Sequence, residues 1–293
     1  MSEKTHLFMW RKILNMKIKS VGIVGQGFVG KALKERFSKF YPVNTYDKFL
    51  PELSSHGSIE ELADVSDVVF VCVPTPMKSS GSCDTSIVEQ VCSDIVRAGN
   101  PIIAIKSTIT PGTTEDLNKR LRTKKIVFNP EFLTERFAAE DFENTNRIVL
   151  GGHLESTTPL KQFYSHVFPN VKVIKTESTI AEYVKYLSNC FLAVKVSVAN
   201  EFAKLCEASG VDYDKVTEYA NFDPRLGDTH WVVPGPDGKR GFGGSCFPKD
   251  INSIIDLAHK LGTPCHTLYG AWETNLKVRP ERDWEKLKGR AVV

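Results

Sequence analysis

Gly25-Gln26-Gly27-Phe28-Val29-Gly30 joins the apolar run KSVGIVG, residues 19–25, to a helical pattern from Val29 to Phe40. A G-x-G-x-x-G turn between a strand and a helix constrains the fold strongly. Its glycines permit a tight turn and let backbone approach an anionic group that the helix N-terminus then carries. Alone, the pattern also occurs in turns that are glycine-rich for purely structural reasons, and a Rossmann-like fold with an altered site would show it too. Asp47 adds context, since it ends the next run, VNTYD at 43–47, 20 residues after Gly27. A carboxylate there binds ribose hydroxyls and repels a 2′-phosphate, which favours NAD over NADP. Lys48 beside it weakens that preference.

Further runs follow at DVVFVCVP 67–74, PIIAIKST 101–108, KIVFNPE 125–131, RIVLGG 147–152 and VKVIKT 171–176. Helical patterns separate several of them, at Thr85–Ala98, at PGTTEDLNKRL and around Pro159–Phe168. Strands that alternate with helices indicate an α/β, Rossmann-like doubly wound parallel sheet. Near residue 178 the character changes. Val184, Leu187, Phe191, Val194, Val198, Phe202 and Leu205 recur at steps of three and four along one helical pattern from Thr179 to Ala208, which Gly210 ends. Helical regions from about Asp250 to Lys260 and after Pro264 complete a mostly α-helical second part. The expected division is a leader at 1–17, a dinucleotide domain at 18–177, a helical domain at 178–277 and a tail at 278–293.

Hydrophobic residues make up 41% and charged residues 25%, as in a soluble globular protein, and a net charge of +3 without a long basic run gives no case for nucleic acid. No apolar stretch reaches transmembrane length, so no membrane partner is expected. The run Leu7–Trp10 is followed, not preceded, by Arg11, Lys12 and Lys17, the reverse of a signal peptide. Seven cysteines without a C-x-x-C pair argue against a disulfide framework or a metal site and suit a cytoplasmic location.

Cys246 lies in GFGGSCFPKD, residues 241–250. Gly243 and Gly244 let backbone approach a substrate and offer amides to an oxyanion. Lys249 and a helix start near Asp250 would favour a thiolate. An isolated cysteine is more often a small buried core residue, which is the reading for the other six.

These motifs together resemble the nucleotide-sugar 6-dehydrogenases, the family of UDP-glucose and GDP-mannose dehydrogenases. The matching segments are GQGFVG 25–30, CVPTP 72–76, KSTITPGTT 106–114, NPEFLTE 129–135, AEYVKYLSNCFLAVKVSVANE 181–201 and GFGGSCFPKD 241–250, and the resemblance spans about residues 17–277. It implies NAD-dependent oxidation of a nucleotide sugar, UDP-glucose to UDP-glucuronate first among the choices. The family oxidises its sugar twice, through a thiohemiacetal and a thioester on the cysteine that matches Cys246.

The resemblance also implies roles. Lys185 and Asn189, four residues apart, would hold a developing alkoxide; without the family they read as a solvated helix face. Asp250 would act as acid or base and otherwise reads as a helix N-cap. Thr108 would order water and contact cofactor; the plainer reading is a strand-end hydroxyl. Glu131, with Phe132, Leu133 and Gly243, would lie near the sugar, and Glu135 would contact cofactor. Val73, Pro74 and Thr75 join Gly25, Gln26, Gly27, Phe28, Val29, Gly30, Asp47 and Lys48 as cofactor-binding positions. Arg225, in DPRLG, would reach the substrate across a homodimer interface built on the long helix; otherwise the apolar stripe packs inside its own domain.

Two departures stand out. Relatives continue with a further nucleotide-gripping domain, whose opening strand LKGRAVV resembles, and Arg136 stands where many have Gly. Two other functions stay open: a non-catalytic NAD-binding dimerisation module, and a two-electron β-hydroxyacid dehydrogenase that would not need Cys246.

Overall fold

The seven apolar runs form seven strands in the computed structural model, which describes residues 17–293. They are β1 (Val21–Val24), β2 (Val43–Tyr46), β3 (Val68–Val71), β4 (Ile102–Ile105), β5 (Ile126–Phe128), β6 (Arg147–Gly151) and β7 (Lys172–Thr176). One sheet joins them in the order β2-β1-β3-β4-β5-β6-β7. The expected leader falls, apart from Lys17, outside the described residues.

Helices α1 (Phe28–Phe37), α2 (Ile59–Asp64), α3 (Ser86–Ala98), α4 (Thr113–Arg120), α5 (Ala138–Glu143) and α6 (Leu154–Val167) connect the strands. Strands β1, β3, β4 and β5 are covered on both faces, which is why those runs are continuously apolar, whereas the edge strands β2 and β7 are partly exposed and mixed. Val68 and Phe70 turn to one core with Phe37, Phe163 and Tyr164, while Val69 and Val71 turn to a second with Val88, Cys92, Ile95 and Leu117. Alternation along a strand thus feeds two cores from one sequence run.

The sheet departs from the all-parallel expectation at one place, since β6 runs antiparallel to β5. The connection between them holds a 3-10 turn, Glu135–Phe137, and the six-residue α5, about 9 Å of helix. That is too little helix to carry the chain back along the sheet, so the next strand starts where the last ended. Helix α6 starts at Leu154, five residues before the expected Pro159, which sits inside it at the cost of one backbone hydrogen bond.

The long pattern is one helix, α7 (Ser178–Ser209), followed by α8 (Tyr213–Ala220), α9 (Phe247–Lys260) and α10 (His266–Val278). Helix α8, absent from the expected elements, buries no residue; Asp212 caps it by accepting from the amides of Asp214 and Lys215.

By its contacts the chain divides into two units, residues 17–75 with 85–185, and residues 76–84 with 186–293. The change of unit therefore falls inside α7. In the second unit Tyr186, Cys190, Ala193, Phe242, Ile251, Ile255 and Ala271 form a core. The segment 76–84 belongs there through the Met77 amide, which donates to the Ala291 carbonyl at 2.8 Å. No helix among the described residues is long and apolar enough to cross a membrane.

Candidate active site

Each unit holds a group of the residues singled out above. In the first, the glycine-rich turn follows β1 and Gly27 occupies the N-cap of α1. A glycine there has no side chain to satisfy the first helical amides, which stay open to an anion. The three glycines do different things. Gly25 adopts φ +93°, and a Cβ on it would stand 2.5 Å from the Cys72 carbonyl oxygen. A Cβ on Gly30 would fall 1.9 Å from the Gly25 carbonyl oxygen, so Gly30 packs helix against turn. A Cβ on Gly27 would meet nothing within 4 Å.

Asp47, just past β2, accepts from the Gln26 amide at 2.6 Å and from the Phe49 and Leu50 amides at 2.8 and 3.0 Å. Its carboxylate is thereby fixed beside the turn, with acceptor capacity left for hydroxyls. Lys48 is exposed, as is Pro74; Val73 is half-buried and Thr75 buried. Open space at Gly27, uncapped amides and a carboxylate beside the turn fit a dinucleotide.

Past the ends of β4 and β5 lies a buried charge cluster. Lys185, 2% exposed, donates to the Glu131 carbonyl oxygen at 2.7 Å and to Glu131 Oε1 at 2.8 Å. The solvated-face reading of Lys185 is therefore wrong. Burial would raise the Glu131 carboxyl, but Lys185, the Leu133 amide and Lys106 outweigh it and hold it below the usual carboxylate range. Lys106 donates to Asn129 Oδ1 at 3.3 Å and the Pro130 carbonyl at 3.2 Å. Two buried amines thus grip three consecutive residues, 129–131. Burial lowers the Lys106 ammonium to about 8, with Lys185 adding to the effect and Cys72 and Glu131 opposing it.

Phe132 stacks beneath Arg147, whose guanidinium carbon lies 4.2 Å from the ring centre. Leu133 is half-buried and Thr108 is buried. Glu135 and Arg136 are exposed on the 3-10 turn. Glu182 was missed from sequence. It is fully buried and accepts from the Gly112 amide at 2.5 Å and from the Thr114 amide and hydroxyl at 2.9 and 2.7 Å. Its carboxylate caps α4 and fixes the turn that follows Thr108.

In the second unit Cys246 is half-buried and occupies the N-cap of α9. The helix starts at Phe247, earlier than expected, so Asp250 lies within the first turn and is not the N-cap. Asn189 Nδ2 donates to Asp250 Oδ2 at 2.6 Å, and Lys249 donates to Asp250 Oδ1. All three side chains are buried, so Asn189 is no solvated residue either. Burial works against the Lys249 ammonium, but Asp250, with Cys83 and Cys246, overrides it and raises its proton affinity. Of the other cysteines, Cys83, Cys92, Cys190 and Cys206 are buried as expected, whereas Cys72 and Cys265 are only partly so. No disulfide links the seven, all of which lie among the described residues.

The glycines before Cys246 have a different neighbour from the one expected. A Cβ on Gly243 would stand 2.5 Å from Arg279 Nε and Nη2 and from Asp283 Oδ1. The Gly244 amide donates to Asp283 Oδ2 at 3.1 Å and is thus engaged within the chain. Arg225 is exposed and paired with Asp223 at 2.5 Å. Its turn is anchored by Lys195, another residue missed from sequence, which donates to the Leu226 and Gly227 carbonyls at 3.0 Å each.

Comparison with known proteins identifies the family. Residues 47–172 match the NAD binding domain of the UDP-glucose/GDP-mannose dehydrogenase family and residues 179–277 its central domain. The chain is 36% identical over 222 residues to the UDP-glucose 6-dehydrogenase of Rickettsia typhi, covering 73% of this chain and 50% of that protein. It is 34% identical over 236 residues to the UDP-glucose 6-dehydrogenase TuaD of Bacillus subtilis, covering 78% and 50%. The chain thus spans about half the length of these relatives. A UDP-glucose dehydrogenase structure from Pyrobaculum islandicum superposes with a TM-score of 0.81 at 30% identity, over 94% of this chain and 71% of that one. With its glycine-rich turn, its buried lysine–glutamate pair and its GGSC segment in these places, the chain belongs to the UDP-glucose/GDP-mannose dehydrogenase family, of which it carries the NAD binding and central domains.

Proposed function

We propose that the chain oxidises the primary alcohol of a nucleotide sugar to a carboxylate, UDP-glucose to UDP-glucuronate being the preferred case. One observation carries this reading: Cys246 stands half-buried at the N-terminus of α9, directly before a buried Asn189–Asp250–Lys249 network. A buried carboxylate and ammonium carry a large desolvation penalty, and a reaction that moves protons beside a thiol gives them a purpose.

Residues 25–30 with Asp47 would hold NAD, with Val73, Pro74 and Thr75 beside it. NAD, when bound, supplies the acceptor for the hydride lost in each of two oxidations. Lys185, oriented by Glu131, stabilises the alkoxide formed as the alcohol gives up its proton. The Cys246 thiolate then adds to the aldehyde carbon, and the carbonyl oxygen takes a proton to give a thiohemiacetal. Loss of the second hydride and of the hydroxyl proton leaves a thioester. Water, ordered by Thr108 and deprotonated by Asp250, attacks it; the carbon–sulfur bond breaks, and the sugar acid leaves with the thiolate restored.

The exposed apolar stripe of α7 supports a homodimer in which Arg225 serves the partner's site. The disulfide-free cysteines favour a cytoplasmic setting. The test is direct. Purified protein with NAD and UDP-glucose should give two NADH per acid formed, and GDP-mannose or a UDP-N-acetylsugar tests the other substrates. Cys246→Ala should form no acid. Absence of NADH with every one of these sugars would sink the reading.

A further inference from the structure

The backbone that leads to Cys246 is held by side chains. The Gly241 amide donates to Asn200 Oδ1 at 3.1 Å, the Phe242 amide to Asn275 Oδ1 at 2.7 Å and the Gly244 amide to Asp283 Oδ2 at 3.1 Å. Asn275 Nδ2 donates in turn to the Phe242 carbonyl at 2.9 Å, so one buried amide pairs with both backbone groups of a single residue, as a neighbouring strand would. Arg279 Nη1 donates to the Arg240 carbonyl at 3.3 Å. Its Nε and Nη2 reach Asp283 Oδ1 and Asp237 Oδ2, each at 2.5 Å. Asn275 is fully buried and Arg279 is 3% exposed.

The glycines fit this frame. A Cβ on Gly241 would stand 2.4 Å from Asn275 Oδ1, and one on Gly243 would strike the Arg279–Asp283 pair. Gly241 and Gly244 also hold φ near +70°, which other residues resist. The segment therefore lies flat against polar side chains from α10 and the turn after it. On the other side of Cys246, the Asp250 amide donates to the Cys246 carbonyl at 2.9 Å and fixes the sulfur's residue to α9.

We propose that Asn275 and Arg279, with Asp283, are positioning residues for the Cys246 thiol: they fix the backbone of residues 240–244 and so set where the sulfur stands at the start of α9. This deepens the proposed function, because it rests on Cys246 as nucleophile. A helix N-terminus stabilises a thiolate only if the sulfur stays over its amides, and that depends on the strand of chain entering it. The frame acts on the backbone of that segment, which makes it a determinant of reactivity as well as of stability.

The test follows iodoacetamide alkylation of Cys246 against pH, read by peptide mass spectrometry, with half-buried Cys265 as internal control. In Arg279→Met and Asn275→Ala the Cys246 profile should move to higher pH, with labelling at pH 7 about three- to tenfold slower and Cys265 unchanged. Arg279→Lys, which keeps a charge for Asp283, should recover much of the rate. Should the larger changes prevent folding, Asp283→Asn, which leaves Arg279 its other partners, should shift the profile the same way. A folded variant with an unshifted Cys246 profile overturns the proposal. Equal changes at Cys246 and Cys265 with a lowered Tm assign the frame a purely structural role and overturn it too. No sugar or cofactor enters the measurement, so failure here is distinct from failure of wild-type protein to make acid.

Discussion

Asn189 and Asp250, 61 residues apart in sequence, meet through a 2.6 Å hydrogen bond between α7 and α9. The other Asp250 oxygen accepts from Lys249. This carboxylate is the counter-charge for a buried ammonium and the acceptor for a buried amide at once. Asp250→Asn should therefore destabilise the protein by about 3–5 kcal/mol, since it strands Lys249 without a counter-charge. Adding Lys249→Met should recover much of that loss in urea unfolding while acid formation stays abolished. Equal stability of the single and double variants would contradict the pairing.

Lys106 makes a prediction about pH. Its ammonium sits at about 8 in the folded protein, chiefly because it is buried, against roughly 10.4 for an exposed lysine. Below pH 8 it is charged in both states, and its burial opposes folding in full. Between pH 8 and about 10 the unfolded chain binds more protons than the folded one, so this contribution rises with pH, by roughly 3 kcal/mol in all. Buried thiols and phenols pull the other way in that range, so the difference between wild type and Lys106→Met isolates the effect. Stability of wild type relative to the variant should grow across this window. A difference independent of pH would show that Lys106 titrates normally.

What sequence could show is bounded by distance along the chain. Strands β1 to β7 announced themselves as short runs set between helical patterns, helix α7 through its local periodicity, and Gly25–Gly30 through contiguous spacing. Lys185 and Glu131 were found only because each sits in a family motif; their 2.8 Å contact joins residues 54 positions apart and leaves no local trace. Asn275, Arg279 and Asp283 had neither advantage. They lie outside any motif, and their partners at 240–244 are more than 30 residues away. The β5–β6 reversal was hidden because a six-residue helix is too short to show its period. Glu182 was in plain view within AEYVKY, but nothing in that string shows that its carboxylate caps a distant helix.

The stripe on α7 is partly unpartnered among the described residues. Leu187 is 71% exposed and Phe191 65%, with Phe202 and Leu205 also exposed. A run of large apolar side chains on one helix face marks an association surface. The protein should sediment as a dimer, and Leu187→Glu with Phe191→Glu should yield monomer with little change in helix content. If Arg225 serves the partner's site, Arg225→Ala and Cys246→Ala chains, each impaired alone, should regain activity when mixed. A mixture no more active than its components would place Arg225 outside the partner's site.

The two glycines Gly27 and Gly30 separate cofactor binding from folding. Gly27 has φ −68°, which any residue adopts, and a Cβ there meets only open space. The structure alone gives no reason for glycine at this position; a ligand lying against the backbone does. Gly27→Ala should keep the wild-type Tm to within about 2 °C, in line with the small effects of substitutions away from packed features. Its affinity for NADH, followed by fluorescence, should nevertheless fall about tenfold or more, since the methyl group takes the space a pyrophosphate needs. Gly30→Ala should behave in the opposite order. Its methyl group would overlap the Gly25 carbonyl oxygen, so the turn must shift and the Tm should drop along with binding. An alanine at 27 that binds NADH as wild type does would mean that the open space beside α1 is not where the cofactor lies.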